Sequence, residues 1–438
     1  MKRSKRLLLL LALVAVFAIT WVVVLTAKSS DQLQAELIGQ AAEYMEDGVY
    51  VLAAPLLEEA AGYNASRTVE AENMLKESYL NMMGQSGVRR KYIALLEKQM
   101  NRSGAGPDVF LEAANFYLDG GRFIDAYGVL TDGIAKTQSE DLVTLYEKNR
   151  YEYKAGYTYY DDVTLTFGAT IGVCRDGLWG LASSGGDLII PCEYNKISTF
   201  NNGRAIVKKG GEIYAVDRFG NRLALQKEGA ADFGNYASDR VPLLIDGKWY
   251  RATGGFQRGE MAFENIGMYS GGYAPAQYNG KWGLVDTSIY WMLPAEYDGI
   301  VTDELGRAYA QGAVFVKQGA SVSLIVNGAD TGLTYDDARP FGSEGYAAVR
   351  KNGKWGFIDT AGQVKIDYQF DDALSFGQHL AAVKQGDLWG YVSLYGEIAI
   401  EPVFLQAKSF AGGSAPVKTE QGWRFITLLE YRSEDGLM

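Results

Sequence analysis

The chain has 438 residues, of which 47% are hydrophobic and 22% are charged, and this composition predicts two or three globular domains. The net charge of −11 provides no excess of cations for phosphate contacts, so nucleic acid is excluded as an expected partner. One histidine is too few for a multi-histidine metal site, and the two cysteines, Cys174 and Cys192, do not form a Cys-x-x-Cys motif.

A membrane anchor is predicted at the amino terminus. Residues 1–6 carry four basic side chains, and the segment from Leu7 to Ala27 contains no charged residue. As a helix it would span roughly 31 Å, the thickness of a hydrocarbon core, and the positive-inside rule places residues 1–6 in the cytoplasm. A cleaved signal peptide is the alternative, although its apolar core is usually shorter and Leu25 is large for a cleavage site. Both interpretations place the body of the chain outside the cytoplasm.

Residues 31–150 show a helical, proline-poor pattern with an internal repeat. Two sets of six residues have the same successive spacings of 3, 4, 5, 4 and 3 residues. The first set is Ala41, Tyr44, Gly48, Ala53, Leu57 and Ala60, and the second is Ala114, Tyr117, Gly121, Ala126, Leu130 and Gly133. The pattern resembles the tetratricopeptide repeat, a helix-turn-helix unit. A degenerate middle unit is expected around Tyr79. The resemblance implies a concave surface that binds a peptide or partner protein, and the alternative is a plain spacer.

Residues 151–438 carry a second repeat, which is centred on tryptophan. Six of the eight tryptophans recur at intervals near 34 residues: Trp179, Trp249, Trp282, Trp355, Trp389 and Trp423. Ile213 and a position near Ser321 complete a series of eight units. In each unit a strand and a tight turn, such as Asn352-Gly353, lead into a strand that opens on Trp-Gly, and a third strand follows. The unit is therefore predicted to be a three-stranded antiparallel meander.

A second signature links one meander to the next and has room for a short fourth strand. Aromatic pairs six residues apart recur at Tyr194/Phe200, Phe263/Tyr269, Tyr335/Phe341, Phe370/Phe376 and Phe404/Phe410. With Gly-Lys-Trp-Gly at 280–283 and again at 353–356, these units resemble the WG repeat of bacterial proteins. The Trp or Gly is missing at Ile213, Tyr250, the Ser321 region and Arg424. The resemblance implies a β-repeat module and no defined activity.

The two ends of the β array favour a closed ring. The last unit has two strands, at 415–418 and 423–427, and lacks the third. Residues 151–160 can supply the missing strand, so eight whole units form only if the ends join. Exchanging a strand between termini also protects sheet edges. We expect an eight-unit propeller-like ring, with an open β-solenoid as the alternative.

Few side chains are candidates for chemistry or binding. The recurrent Trp before Gly is typical of packing, whereas Trp291 breaks the pattern and is a weak candidate for a binding contact. Carboxylates flank the aromatic segments at Glu193, Glu264, Glu296, Asp298, Asp336, Asp371 and Asp372. Ca²⁺ binding or a glycosidase acid/base pair would use such groups, but Asp at turns usually caps its own backbone. No catalytic, cofactor-binding or metal-binding residue is predicted.

The remaining unusual residues have ordinary explanations. Cys174 and Cys192 fall in the first and third strands of one meander, about 9–10 Å apart, which exceeds the reach of a disulfide. Two free thiols are therefore expected. The lone His379 is expected to be a loop or packing residue. Cations that end first strands are expected to be solvated gatekeepers, at Lys208, Lys317, Arg350, Lys384 and Lys418.

The sequence as a whole predicts a multidomain α and all-β protein. Residues 1–6 form a cytoplasmic basic tail, 7–27 a transmembrane anchor, 31–150 the helical repeats and 151–438 the β domain. We expect a non-enzymatic binding or scaffold protein on the outer face of a bacterial-type membrane, which needs no cofactor and engages a protein, a peptide or an envelope polymer. The alternatives are an envelope hydrolase with paired carboxylates and a purely structural spacer.

Overall fold

The computed structural model describes residues 29–223 and 229–429, and the chain divides between Glu147 and Lys148 into a helical unit and a β unit. The predicted basic tail and the segment from Leu7 to Ala27 lie outside the described residues. No helix within the described part is both long and apolar enough to cross a membrane. An anchor at Leu7 to Ala27 stays a prediction.

Seven α-helices are found among the described residues. They are α1 (Ser30–Glu46), α2 (Tyr50–Gly62), α3 (Thr68–Asn81), α4 (Val88–Met100), α5 (Pro107–Asp119), α6 (Phe123–Thr137) and α7 (Glu140–Asn149). Helix α1 begins at a capping box, because the Ser29 hydroxyl accepts from the backbone N–H of Gln32 and the Gln32 side chain accepts from that of Ser29.

The repeated small residues lie where helices pair. Gly48 and Gly121 have positive φ in the turns between α1 and α2 and between α5 and α6. Ala53 is fully buried in α2, and a Cβ on Gly133 in α6 would lie 2.8 Å from the Phe110 side chain in α5. The predicted helix-turn-helix pairs are therefore present at both places. Their assignment to the tetratricopeptide family stays a prediction.

The described residues of the β unit form eight four-stranded antiparallel sheets, called here blades 1 to 8, each with an inner, a second, a third and an outer strand. Blade 1 holds Asp162–Val163, Thr170–Arg175, Leu178–Ser183 and Leu188–Tyr194. Blade 2 holds Lys196–Ile197, Ala205–Lys209, Glu212–Val216 and Arg222–Leu223. Blade 3 holds Asp232–Phe233, Arg240–Ile245, Lys248–Thr253 and Arg258–Phe263. Blade 4 holds Asn265–Ile266, Tyr273–Tyr278, Lys281–Asp286 and Trp291–Tyr297.

The other four blades follow the same order. Blade 5 holds Gly299–Ile300, Ala313–Gln318, Ser321–Val326 and Ala329–Tyr335. Blade 6 holds Asp337–Ala338, Tyr346–Lys351, Lys354–Asp359 and Val364–Phe370. Blade 7 holds Asp372–Ala373, Leu380–Gln385, Leu388–Ser393 and Ile398–Phe404. Blade 8 holds Gln406–Ala407, Ser414–Thr419, Gly422–Leu428 and, as its outer strand, Tyr153–Ala155 from the start of the unit.

The predicted three-stranded meander forms the second, third and outer strands of a blade. The inner strand has only two residues and lies inside the segment between the paired aromatics, as Asp372–Ala373 lies between Phe370 and Phe376. The linking segment is therefore both the connection between blades and the inner strand of the next blade.

The chain closes its own ring, as predicted from its ends. Tyr153, Lys154 and Ala155 pair in antiparallel register with Leu428, Thr427 and Ile426. Tyr160 and Trp423 then exchange backbone hydrogen bonds of 2.8 and 2.9 Å. The β unit is an eight-bladed propeller, and the open solenoid alternative is not what the chain forms.

The recurrent Trp packs between neighbouring blades. Trp355 is buried with Phe376 of blade 7, and Trp423 is buried with Val173 of blade 1. The two units without Trp use Ile213 and Val322, which pair with the second strand as the tryptophans do. Because one such residue stands at each blade interface, its main role is to fill the core between blades.

The Gly after Trp allows the outer strand to come close. A Cβ on Gly356 would lie 2.7 Å from the Ile366 carbonyl oxygen, and one on Gly390 would lie 2.7 Å from the Pro402 nitrogen. The register shifts at the same place, so that one residue of the third strand faces three of the outer strand. The Trp-Gly pair thus marks a β-bulge that only glycine accommodates.

Gly390→Ala should therefore destabilise the propeller by about 1–3 kcal/mol, because the new methyl group overlaps the backbone of the outer strand. The measurement is the midpoint of urea unfolding, followed by tryptophan fluorescence. Gly255→Ala is the matched control, since its Cβ would meet only the Thr253 hydroxyl at 3.7 Å. An equal midpoint shift in both variants would contradict the bulge argument.

Candidate functional site

Trp291, the predicted binding candidate, begins the outer strand of blade 4. Its ring lies 6.3 Å from that of Phe263 and 6.4 Å from that of Tyr278, measured between ring centroids. It is half-buried and packs against the core between blades 3 and 4. The structure therefore gives Trp291 a packing role, and a binding role stays a prediction.

Carboxylates that precede the inner strands cap hairpin turns. The Asp371 carboxylate accepts from the backbone N–H of Gly386 at 2.8 Å, and Asp298 accepts from that of Gly319 at 2.8 Å. The Lys354 ammonium and that Gly386 N–H hold the pKa of Asp371 below its usual range. The general acid of a glycosidase needs a raised pKa so that it holds its proton. A carboxylate with a lowered pKa stays ionised, which suits it to accept backbone N–H groups at a turn.

Metal ligands do not gather in the described part of the chain. No group of three His, Cys, Asp or Glu side chains there is arranged to hold a metal ion. His379 is exposed in a turn with positive φ, and its backbone N–H donates to the Glu344 carboxylate at 2.9 Å.

Both thiols are free, as predicted from their strands. Cys174 is buried in the second strand of blade 1 and Cys192 is half-buried in the outer strand, with the third strand between them. Burial raises the pKa of both thiols. A raised pKa leaves little reactive thiolate near neutral pH, so neither thiol is suited to nucleophilic chemistry.

The cations at the ends of second strands are more than solvated gatekeepers. The guanidinium of Arg350 lies 6.0 Å from the ring centroid of Trp355, and the ammonium of Lys418 lies 5.9 Å from that of Trp423. Lys208 donates to the Ala231 carbonyl in blade 3 at 2.9 Å. These side chains cover the aromatic core at blade interfaces.

A cavity of about 720 Å³ lies on the axis of the propeller. Its walls are the loops that follow the inner strands, and they come mainly from blades 5 to 8. Phe341, Phe376 and Phe410 are the second members of the aromatic pairs, and their rings are buried against neighbouring blades. What these residues present to the cavity is consequently their backbone. The volume falls in the ~300–1,000 Å³ range typical of ligand sites.

Each blade has an inner loop, which joins its inner strand to its second strand. The inner loop of blade 5 differs from the other seven and crosses the axis. In blade 5 it contains twelve residues (301–312), against six or seven in the other blades. Its Leu305 packs with Ala237 and Met268, and Leu165 of blade 1 packs against this cluster. Blades 1 and 5 are opposite in a ring of eight, so this contact spans the axis. We call residues 302–307 the plug.

Polar contacts fix the plug at several points. Asn235 of blade 3 donates to the Leu305 carbonyl at 3.0 Å, and the backbone N–H of Met268 donates to the Gly306 carbonyl at 3.0 Å. The Glu304 carboxylate pairs with the ammonium of Lys408 in blade 8. The plug therefore fills the axial space next to blades 1 to 4 and leaves the cavity next to blades 5 to 8.

Some backbone N–H groups next to the plug donate to described residues, whereas the corresponding groups of blades 6 to 8 around the cavity do not. On the plugged side, Asn235 accepts from the N–H of Thr199 at 3.1 Å, and Thr199 accepts from that of Tyr236 at 3.0 Å. Around the cavity, certain N–H groups make no hydrogen bond to any described residue: those of Phe341, Ser375, Phe376, Ser409 and Phe410. The cavity is therefore rich in unused donors.

Sequence reasoning did not find the plug or the open donors. The plug had a signal, because 40 residues separate Trp282 from Val322, against 33 to 36 between other neighbouring positions of the series. The unpaired N–H groups had no sequence signal, because they belong to the backbone and their partners depend on which loop fills the axis.

The family whose description is "WG containing repeat" matches residues 179–212, 260–282, 333–355, 355–389 and 389–423. The last two segments run from the Trp of one blade to the Trp of the next. No curated protein matches the chain.

Solved structures that match the chain come from several organisms. BamB from Moraxella catarrhalis has a TM-score of 0.39 and 8% identity, and the match covers 64% of this chain and 95% of BamB. Hsv2 from Kluyveromyces lactis has a TM-score of 0.36 and 8% identity over 60% of this chain and 96% of Hsv2. The WD40 domain of Neurospora crassa Pan2 has a TM-score of 0.32 and 11% identity, and the match covers 63% of this chain and 90% of the Pan2 domain.

Removing the charge of Glu304 should reduce the stability of the propeller more than removing the charge of Lys408. Lys408 is only 7% exposed, whereas the Glu304 side chain is 58% exposed. Glu304→Gln leaves a buried ammonium without its counter-charge, which should cost about 1–3 kcal/mol. Lys408→Met removes the charge and keeps an apolar stem, so it should cost less.

Urea unfolding of both single variants and of the double variant measures this difference. Lys281→Met is the control, since Lys281 pairs with Asp298 while both side chains are about half exposed, and it should change stability by less than about 1 kcal/mol. A larger loss in Lys408→Met than in Glu304→Gln would show that the plug is not held in this way.

Proposed function

We propose that this protein is a non-enzymatic binding protein, anchored in a bacterial-type cell membrane, that engages a partner protein or peptide outside the cytoplasm. The axial cavity is the observation that carries the proposal. It has the size of a ligand site and donors that no described residue uses. A spacer has no need of such a cavity.

The anchor belongs to the proposal on sequence grounds. The apolar segment from Leu7 to Ala27 and the four cations before it support one membrane-spanning helix with the body outside. An envelope polymer is a further candidate ligand, and a hydrolase is the less favoured alternative. A hydrolase needs two acids in one pocket, but Asp298 and Asp371 cap equivalent turns. The two acids that line the cavity, Asp303 and Glu304, are already paired with Arg307 and Lys408.

The helical unit is proposed as a second recognition surface. Val51 and Ile124 occupy equivalent positions of the two repeat sets, two residues before Ala53 and Ala126. Both side chains are exposed, by 52% and 70%. Apolar residues repeated on an exposed helix face support a tetratricopeptide-like binding role for this unit.

Cross-linking on intact cells tests the proposal. The full chain carries a carboxyl-terminal tag, and an amine-reactive reagent that cannot cross membranes is added before solubilisation. We expect one specific adduct between the tagged chain and a partner protein. Chains without residues 31–147 or without residues 148–438, each fused to the same anchor, should show which unit holds the partner.

The control is the anchor fused to an unrelated extracytoplasmic domain, which should give no such adduct. Absence of labelling by the impermeant reagent would contradict the proposed location. Labelling without any specific adduct would contradict the binding function.

A further inference from the structure

Unused donors surround the axial cavity, and one of them is charged. Arg307 donates through Nε to the Asp303 carboxylate at 2.6 Å, and its terminal NH₂ groups make no hydrogen bond to any described residue. The backbone N–H groups of Ser375, Phe376, Ser409 and Phe410 are equally without a described partner. The Thr166 hydroxyl at the cavity wall is buried and also lacks one. A ligand that supplies acceptors would satisfy the Arg307 and backbone groups.

The acidic groups of the cavity are already occupied by the protein. The Asp303 carboxylate accepts from the backbone N–H groups of Leu305 and Arg307 at 2.9 and 3.0 Å, in addition to the Arg307 side chain. Glu304 is paired with Lys408. Of the two arginines that line the cavity, Arg339 lies beside two carboxylates, Asp337 and Asp372, whereas Arg307 lies beside Asp303 alone. Arg307 is therefore the lining cation best placed to meet a ligand with one negative charge.

The walls and the closed side of the cavity fit the end of an extended chain. Leu165, Pro340 and Leu374 add apolar side chains to the polar wall. The plug fills the axial space beside blades 1 to 4, so a chain that enters the cavity meets residues 302–307. A chain end fits this space, whereas a chain that continues through the axis does not.

We propose that the axial cavity binds the carboxyl terminus of a peptide, with its carboxylate received by Arg307 and the open backbone N–H groups of blades 7 and 8. The inference rests on the proposed binding function and names the ligand of its cavity. The main-chain carbonyl groups of the peptide supply further acceptors, and apolar side chains near its end lie against Leu165 and Leu374.

Two peptide libraries test this ligand class on the detergent-solubilised full chain. One is a pool of N-acetylated hexapeptides with a free carboxylate, and the other is the same pool with amidated ends. We expect the free-acid pool to bind at least about tenfold more tightly, because charge-assisted hydrogen bonds are roughly twice as strong as neutral ones. Arg307→Gln should abolish this difference.

Two matched controls keep the test specific. Arg222→Gln alters an exposed arginine that pairs with Glu212 in blade 2 and should leave the preference unchanged. Ser343→Trp places a large ring at the cavity wall and should prevent binding, whereas Ser288→Trp, in an exposed turn of blade 4, should not.

The inference is overturned if both pools bind equally, if neither binds, or if Ser343→Trp binds as the native chain does. N-acetylated single amino acids that compete with equal affinity would also overturn it, since the site would then recognise a small carboxylate and not a peptide. Should a partner still be cross-linked on intact cells in any of these cases, the proposed function stands and only this assignment of the cavity is lost.

Discussion

Backbone hydrogen bonds between Tyr153–Ala155 and Gly422–Leu428 hold the ends of the β unit together, and the other features of the propeller depend on them. Each blade buries its core against the next, so no blade is complete alone. Without the exchanged strand, Gly422–Leu428 would be an open edge. Trp423 and Phe425 would then lose the blade 1 residues that bury them. Closure also gathers the eight inner loops around one axis, which is what creates a cavity.

The functional part of the ring lies where the repeat is broken. A regular ring would present the same backbone donors from every blade. The longer loop of blade 5 accepts from the Met268 N–H through Gly306, whereas the N–H groups of Ser375 and Ser409 make no hydrogen bond to a described residue. The Trp-Gly positions build the scaffold, and a single insertion of residues turns that scaffold into a one-sided site.

Periodic features were predictable from the sequence because periodicity reports packing. The Trp series and its Gly neighbours predicted the blades, and the incomplete last unit predicted closure by residues 151–160. The two-residue inner strands were too short to show a period of their own. The plug was missed because Leu305 and Glu304 act through contacts with blades 1, 3, 4 and 8, which no local pattern encodes. The anchor at Leu7 to Ala27 stays a prediction from hydropathy and charge.

Closure by strand exchange can be tested by a disulfide between the two ends. Lys154 and Thr427 are direct antiparallel partners, and Cα atoms of such partners lie about 4.5–5.5 Å apart, within the range for a disulfide. Lys154→Cys with Thr427→Cys, in a chain where Cys174 and Cys192 are alanine, should form an intrachain bond on mild oxidation, identified by peptide mass. Lys154→Cys with Gln257→Cys, in blade 3, is the control pair. Oxidation of the 154–427 pair no faster than the control, or only between two chains, would contradict the closed ring.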